Sequence, residues 1–344
     1  MSSTLKDIAE KLGVSRMTVS YALRDHASIP PATRARVKAA AATLGYRPNS
    51  AARSMLSGKF NTVASVFTVV DGEVVQSLRP AILAGYNRAL HERDMHLTFA
   101  SLDPSKLEAA DGRPRILRES MVDGLLVDYD VRVADRLMTA LSVLQVPYVG
   151  VNDRQDYDCI YPDEFGGAKA ATERLLSLGH QKIVCFVNHR VGPLGEFHRH
   201  YSGIDRVNGY TAAVREAGLE PWVVTPEYDN DALAAQVHQL LTGPRVPTAV
   251  LCVGHLPPAI FHHVASRLGI DVPGALSVVT IHLEPLQVVV PFDTWVTPFK
   301  ETGYQAVQML LEKIQLPAER LASRAVPYAS VEAGRTLGPA PLAS

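Results

Sequence analysis

Thr4-Leu-Lys-Asp-Ile-Ala-Glu-Lys-Leu-Gly13 leads directly into Val14-Ser-Arg-Met-Thr-Val-Ser-Tyr-Ala-Leu23. In the first run Leu5, Ile8, Ala9 and Leu12 recur at i, i+3, i+4 and i+7, one apolar helix face. Thr4 suits the cap of that helix and Gly13 its stop. Ser15 suits the cap of a second helix, whose apolar residues are Val19, Ala22 and Leu23. A third stripe, Val37, Ala40, Ala41 and Leu44, opens at Pro30-Pro31, where proline is tolerated, and closes at Gly45. Three short helices sharing one small core, the first two joined by a tight turn, have the spacing of a helix-turn-helix.

The exposed face of the second helix carries Arg16, Met17, Ser20 and Tyr21. Side chains near the start of such a helix reach base edges in the major groove. An arginine can give two hydrogen bonds to guanine, and a methionine can press on a thymine methyl. Ser15, Thr18 and Ser20 suit phosphate oxygens, as do the backbone N–H groups at the helix start. Charge agrees: residues 1–60 hold ten Lys/Arg and three Asp/Glu, whereas the rest of the chain holds 24 and 32. A basic head on an acidic body directs only the head to a polyanion.

At 344 residues the chain expects two or three domains, and 47% apolar with 20% charged residues is a globular composition. The first 25 residues are polar and charged, so the reading is a cytoplasmic protein without a secretory leader. No apolar run is long enough to cross a bilayer. Cys159, Cys185 and Cys252 have neither metal nor redox spacing and read as buried free thiols.

The run Thr4 to Leu23 resembles the LacI-type (lactose repressor/purine repressor) transcription regulators. Their pattern is T-x-x-D-I/V-A-x-x-A-G-V-S-x-x-T-V-S-x-x-L-N. The chain matches at Thr4, Asp7, Ile8, Ala9, Gly13, Val14, Ser15, Thr18, Val19, Ser20 and Leu23. It departs at Leu12, where alanine is usual, and at Arg24, where asparagine is usual. Tyr46-Arg-Pro48 and Ala51-Ala-Arg-Ser54 look like the family's Y-x-P and A-x-R-S-L. In relatives this stretch becomes a helix on DNA, and a leucine from each of two copies wedges into the minor groove. Met55 stands at the wedge position; methionine is also used as a minor-groove wedge. The DNA-facing set implied by the resemblance is Thr4, Ser15, Arg16, Met17, Thr18, Ser20, Tyr21, Arg24, Ser50, Arg53 and Met55.

From Thr62 onward, apolar strand-like runs alternate with helical stretches, a pattern of parallel sheets covered by helices. The runs are Val63–Val70, Leu97–Ser101, Gly124–Val127, Tyr148–Val151, Lys182–Val187, Ala249–Val253 and Val278–Ile281. Val146-Pro-Tyr-Val149, Leu178-Gly-His180 and Arg206-Val-Asn-Gly-Tyr210 also look like family sequences. The resemblance implies the fold of periplasmic sugar-binding proteins: two α/β subdomains with a ligand cleft between them. The expected division is a helix-turn-helix head at 1–46, a hinge helix and linker at 47–60, and a body with a tail at 336–344. Residues 61–160 with 294–322 form its N-terminal subdomain, and 161–293 with 323–335 its C-terminal one. The three crossings are expected near Cys159–Pro162, Pro291–Trp295 and Leu321–Arg324.

The cleft departs most from the family. Gly72, Glu73, Val74 and Val75 replace its N-P-F-F. His255 and His282 stand where relatives carry aspartates that hold sugar hydroxyls through two acceptors, and a neutral imidazole offers one. Asn152 and Arg206 are retained. The effector set is therefore Asn152, Arg206, His255 and His282. Losing two carboxylates beside an arginine points to a small-molecule effector with an anionic group. The competing expectation is a regulator with no small-molecule effector, constitutive or controlled by a protein partner.

The twelve histidines include His189, His198 and His200 in one loop and His262-His263 on a helix. Neither group makes a metal set of three or four ligands, and no cofactor is expected. Asp123 and Asp128 flank a strand without a partnered base, and no P-loop, G-x-G-x-x-G or nucleophile triad appears, so an enzyme is not indicated. A tail without heptad leucines points to homodimers. The expectation is a transcription regulator, most simply a repressor, binding a palindromic operator. A solute-binding protein is the rival the body alone allows.

Overall fold

The computed structural model describes residues 3–47, 58–70, 73–74, 79–102, 121–128, 141, 146–187, 200–225, 230–253, 256–282, 290–329 and 331–342. It divides into two compact units, Met1–Phe60 and Asn61–Ser344.

The head holds α1 (Leu5–Leu12), α2 (Arg16–Leu23) and α3 (Pro31–Thr43). Thr4 Oγ1 accepts the Asp7 N–H at 3.4 Å and the Asp7 carboxylate accepts the Thr4 N–H at 2.7 Å, closing a capping box. Gly13 turns out of α1 at φ 66°, a left-handed conformation that glycine adopts without a Cβ clash. Ser15 caps α2 by accepting the Thr18 N–H at 3.0 Å. Ile8, Val19, Ala22 and Val37 are fully buried between the three helices, with Ala9, Ala40 and Ala41 beside them. Burying each large member contributes about 1.5–3 kcal/mol, so a few side chains hold the head together.

In chain order the body's described strands are β1 (Thr62–Val70), β2 (Glu73–Val74), β3 (His96–Leu102), β4 (Gly124–Asp128), β5 (Tyr148–Val151), β6 (Cys159–Pro162) and β7 (Ile183–Val187). Then come β8 (Val223–Val224), β9 (Ala249–Val253), β10 (Ser277–His282), β11 (Asp293–Val296), β12 (Arg324–Val326) and β13 (Val331–Glu332). One sheet runs β12-β6-β5-β4-β1-β2, with β3 also on β1. The other runs β13-β11-β10-β9-β7-β8. Only β2 and β13 pair antiparallel among the described strands. Every residue of β7 and β9 is buried, so these strands read as unbroken apolar runs rather than alternations.

Helices α4 (Pro80–His91), α5 (Glu164–Ser177), α6 (Tyr201–Glu216), α7 (Asn230–Thr242), α8 (Leu256–Arg267) and α9 (Phe299–Gln315) cover these sheets. From α4 and α9, Ile82, Tyr86, Val307 and Leu310 pack on Val63, Leu126 and Val149 of the first sheet. From α5 and α6, Ala171, Leu175, Tyr210 and Val214 pack on Ile183, Cys185 and Leu251 of the second. Helices α7 and α8 pack Val237, Leu241 and Phe261 on Val184, Phe186 and Val250. All three cysteines are buried and free, and burial pushes the Cys185 thiol up to about 12.

The chain passes between subdomains after β6, after β11 and after β12. The first passage adjoins the expected Cys159–Pro162, although Tyr161 and Pro162 belong to the first sheet. The other two lie further along than expected. Asp293–Val296 is a strand, in parallel register with Val279–His282, so the passage falls at Thr297-Pro298. Arg324–Val326 pairs with Ile160–Pro162, which moves the third passage beyond Val326. Asp293 and Thr294, polar residues inside the crossing that the resemblance implies, are both buried with partners. Asp293 Oδ2 accepts the N–H groups of Thr336 and Leu337 at 2.9 and 3.0 Å. The expected tail is also folded in: His180 Nε2 bonds the Gly338 carbonyl at 3.0 Å, and the Ala340 N–H donates to Leu178 at 2.8 Å.

Candidate nucleic-acid interface and ligand cleft

The burial of Val19 and Ala22 fixes which side of α2 faces out. Arg16 is exposed and Met17 is 64% exposed, although methionine is ordinarily a core residue. Ser15 Oγ lies 2.8 Å from Thr18 Oγ1. Thr4 Oγ1 donates to Asp7 Oδ2 at 3.0 Å, so its hydroxyl is tied into the cap of α1. Arg24 does not extend outward. It folds back onto α2, giving Nε to the Ser20 carbonyl at 3.2 Å and Nη2 to Ser20 Oγ at 3.1 Å. Its guanidinium lies 5.1 Å from the Tyr21 ring centroid. Ser50, Arg53 and Met55 lie outside the described residues. The head therefore presents an exposed, capped helix face in a basic segment, geometry that suits a major groove.

In the body, β4, β5, β6, β10 and β11 end their parallel runs beside the passages, the place where open α/β sheets bind ligands. Asn152 follows β5 with φ 58° and is buried. Its carbonyl bonds His200 Nε2 at 3.0 Å, and its side-chain oxygen accepts from Tyr201 at 3.4 Å. These contacts join the first subdomain to the start of α6. His200 caps α6 through Nδ1, which accepts the Ser202 N–H at 3.3 Å. With Nδ1 accepting, the ring proton sits on Nε2 and the imidazole is neutral. Burial, with Arg79 and Arg206 nearby, pushes its pKa down to about 4, against the bond to Asn152. His200, which reads from sequence as a loop residue, is thus a helix cap joining the two subdomains.

Arg206 on α6 gives Nε and Nη2 to the two Glu164 oxygens at 2.7 and 2.8 Å, a bidentate pair. Glu164 is 1% exposed and sits in the first turn of α5, where the helix dipole favours its charge. Burial opposes the Arg206 charge, but Glu164 and Tyr328 outweigh it and raise the pKa above the usual value. Tyr328 donates to Glu164 Oε2, and its oxygen lies 3.0 Å from Thr297 Oγ1. The Tyr328 ring fits only because residue 167 is glycine: a Cβ there would fall 2.6 Å from the ring. Beside this network Arg154 ion-pairs with Asp205 and lies 5.7 Å from the Tyr201 centroid. Tyr161 meets Tyr201 edge-on at 5.5 Å.

Across the cleft, Asp128 ends β4, where its carboxylate accepts from Ser65 at 3.1 Å and Tyr86 at 3.2 Å. Burial raises its pKa to about 6, against the lowering pull of Arg79 and these two hydroxyls. His282 ends β10 half-buried, and its carbonyl accepts the Thr297 N–H at 2.9 Å. His255 lies outside the described residues. Sequence alone counts Arg206 as a cation beside two lost carboxylates. It misses Glu164, whose position at a helix start reads as a surface acid, and which neutralises that arginine. Among the described residues no three of His, Cys, Asp and Glu gather as for a metal, and no helix is long and apolar enough to cross a membrane.

Residues 4–49 match the model for bacterial regulatory proteins, lacI family, and residues 172–337 that for a periplasmic binding protein-like domain. The HTH-type transcriptional regulator AglR of Rhizobium meliloti is 32% identical over 73% of the chain and 70% of its own length. The HTH-type transcriptional repressor PurR of Photobacterium profundum is 25% identical over 91% of the chain and 92% of its own. Among solved structures, the lac repressor dimer bound to operator and the anti-inducer ONPF superposes with a TM-score of 0.72 at 24% identity. That match covers 98% of the chain and 99% of the repressor.

Proposed function

The chain belongs to the lacI family of bacterial regulatory proteins, and we propose from that membership that it is a cytoplasmic repressor binding a near-palindromic operator as a homodimer. The observation that carries this reading is the exposed face of α2, with Arg16 and Met17 at the capped end of a helix in a basic head. Two such helices occupy successive major grooves about one helical turn apart. Arg16 and Met17 read base edges; Ser15, Thr18, Ser20 and the start of α2 hold the backbone. Tyr21, Arg24 and Thr4 flank this surface, and Ser50, Arg53 and Met55 serve the minor groove between the half-sites. Selection of bound duplexes from a random-sequence pool tests the reading. Enrichment of a palindrome supports it, and no binding at low salt overturns it.

A small molecule in the cleft alters operator affinity by changing how the two subdomains close. Asn152, Arg206, His255 and His282 are its proposed contacts. The bidentate pairing of Arg206 with Glu164 favours an uncharged ligand over the anion expected from sequence. An anion at Arg206 competes with a carboxylate already bound through two hydrogen bonds. Thermal-shift screening against sugars, organic acids and phosphates separates these classes. Stabilisation by none of them favours control without a small-molecule effector.

A further inference from the structure

The turn that leaves α2 carries an exposed cluster of stacked rings and hydrogen bonds that no expectation from sequence covers. Asp25 sits at φ 55°, a conformation aspartate tolerates better than most residues. Helix α3 holds it there: Lys38 pairs with its carboxylate at 2.7 Å, and Arg34 donates to its carbonyl at 3.1 Å. The left-handed residue turns the chain back, and the His26 N–H donates to the Tyr21 carbonyl at 3.0 Å. His26 then stacks on the Tyr21 ring, with centroids 4.7 Å apart and planes 19° from parallel. The Ser28 N–H donates to His26 Nδ1 at 3.2 Å, which places the ring proton on Nε2. From the helix side, Arg24 lies over the same tyrosine and holds both the carbonyl and the hydroxyl of Ser20.

We propose that Arg24 and His26 are positioning residues for DNA recognition: they fix the Tyr21 ring, which meets a base edge next to those read by Arg16 and Met17, and they aim the backbone-binding Ser20 hydroxyl before DNA arrives. The proposal rests on the DNA-binding reading above and assigns Arg24 a role other than that of a phosphate contact. A Tyr21 side chain at the end of a short helix loses rotamer freedom when it meets a groove. Stacking on His26 and Arg24 removes part of that entropy cost in advance. Because Ser20 Oγ accepts from Arg24, its own proton is directed to another acceptor. Lysine cannot replace Arg24 here, since an ammonium lacks the planar fork that bonds and stacks at once.

The test uses the full-length protein and the palindrome selected by it. Operator and single-base-pair variants are titrated at several salt concentrations with wild type, Tyr21→Ala, Arg24→Lys, Arg24→Ala, His26→Ala and His26→Phe. Arg24→Lys should keep the salt slope yet lose about five- to tenfold in preference at the base pairs that Tyr21→Ala relaxes. His26→Ala should relax the same base pairs, and His26→Phe, which keeps a stacking ring, should restore them. In the DNA-free protein, His26→Ala should move the Tyr21 ring-proton resonances and His26→Phe should restore most of the ring-current shift. The proposal is overturned if Arg24→Lys matches wild type while Arg24→Ala weakens all sequences equally with a shallower salt slope, the behaviour of a phosphate contact. Unchanged preference in His26→Ala overturns it as well. A wild type that enriches no sequence overturns the DNA-binding reading and this proposal together; a wild type that selects a palindrome, with variants that keep its base preference, overturns this proposal alone.

Discussion

Glu164 and Tyr328 stand 164 residues apart in the chain and share one hydrogen bond, and the same Tyr328 hydroxyl also meets Thr297, so the three passages of the body come together at a single phenol. Glu164 begins the helix after the first passage, Thr297 lies in the second, and Tyr328 lies in the third. Arg206 joins the Glu164 carboxylate from α6. Tyr328→Phe removes the donor to Glu164 and the partner of Thr297 while keeping the ring beside Gly167. It should destabilise the body by about 1–3 kcal/mol, the cost of leaving a buried polar group short of a partner. Urea unfolding measures this, and an unchanged midpoint would show that water replaces the phenol freely.

Glu164→Gln should cost more, about 3–5 kcal/mol, because it leaves the Arg206 guanidinium buried without its counter-charge. The same change makes the cleft more positive. Sulfate should therefore raise the melting temperature of Glu164→Gln more than that of wild type. Equal shifts would mean that Arg206 is closed to anions in both.

Two groups bordering the cleft tie stability to pH with opposite signs. His200 titrates near 4 in the fold and near its ordinary 6.5 in the unfolded chain. Below pH 6.5 the unfolded chain gains a proton that the fold refuses, so this group lowers stability as pH falls toward 4. Asp128 titrates near 6 in the fold against an ordinary 3.8. The fold keeps a proton that the unfolded chain has lost, so this group lowers stability as pH rises from about 4 to 6. His200→Asn, which retains a capping side chain, should make stability at pH 4 higher relative to pH 6 than in wild type. Asp128→Asn should shift the balance the other way. Parallel profiles for the three proteins would refute both assignments.

Ser15 is predicted to have two duties that substitution can separate. Ser15→Ala loses the cap of α2 and should cost about 1 kcal/mol. Ser15→Asp keeps a capping oxygen and should restore the melting temperature, yet weaken DNA binding by placing a negative charge beside phosphate. Full DNA affinity in Ser15→Asp would move Ser15 away from the backbone of the duplex.

Arg16→Ala should relax base preference by about 1–3 kcal/mol at one symmetric position of the operator. Uniform weakening across all sequences would instead identify Arg16 as a phosphate contact.

Much of this is legible because the same physics writes both sequence and fold. Runs such as Ala249–Val253 are buried on both faces, so they announce a central parallel strand without help from alternation. Thr4, Gly13 and Ser15 mark helix ends because unpaired backbone groups there need those residue types. What sequence conceals are polar residues whose partners are distant in the chain. Asp293 looks like a linker residue until Thr336 reaches it. Glu164 looks like a surface acid until Arg206 and Tyr328 enclose it. Arg24 looks like an outward charge, and only the turn at Asp25 shows what it leans on.

The edge strands bear on how the body is made. Strand β12 pairs with β6, and β13 with β11, so each sheet takes a strand from the last stretch of chain. Asp293 waits for Thr336, and His180 for Gly338. On a ribosome, a nascent chain that has not passed Val326 can close neither sheet, although most of both have already been translated. Synthesis thus favours late, joint completion of the two subdomains over the sequential domain-by-domain folding common in multidomain chains. A product that stops before Val331 would leave the second sheet without β13 and without the contacts that Thr336 and Gly338 supply.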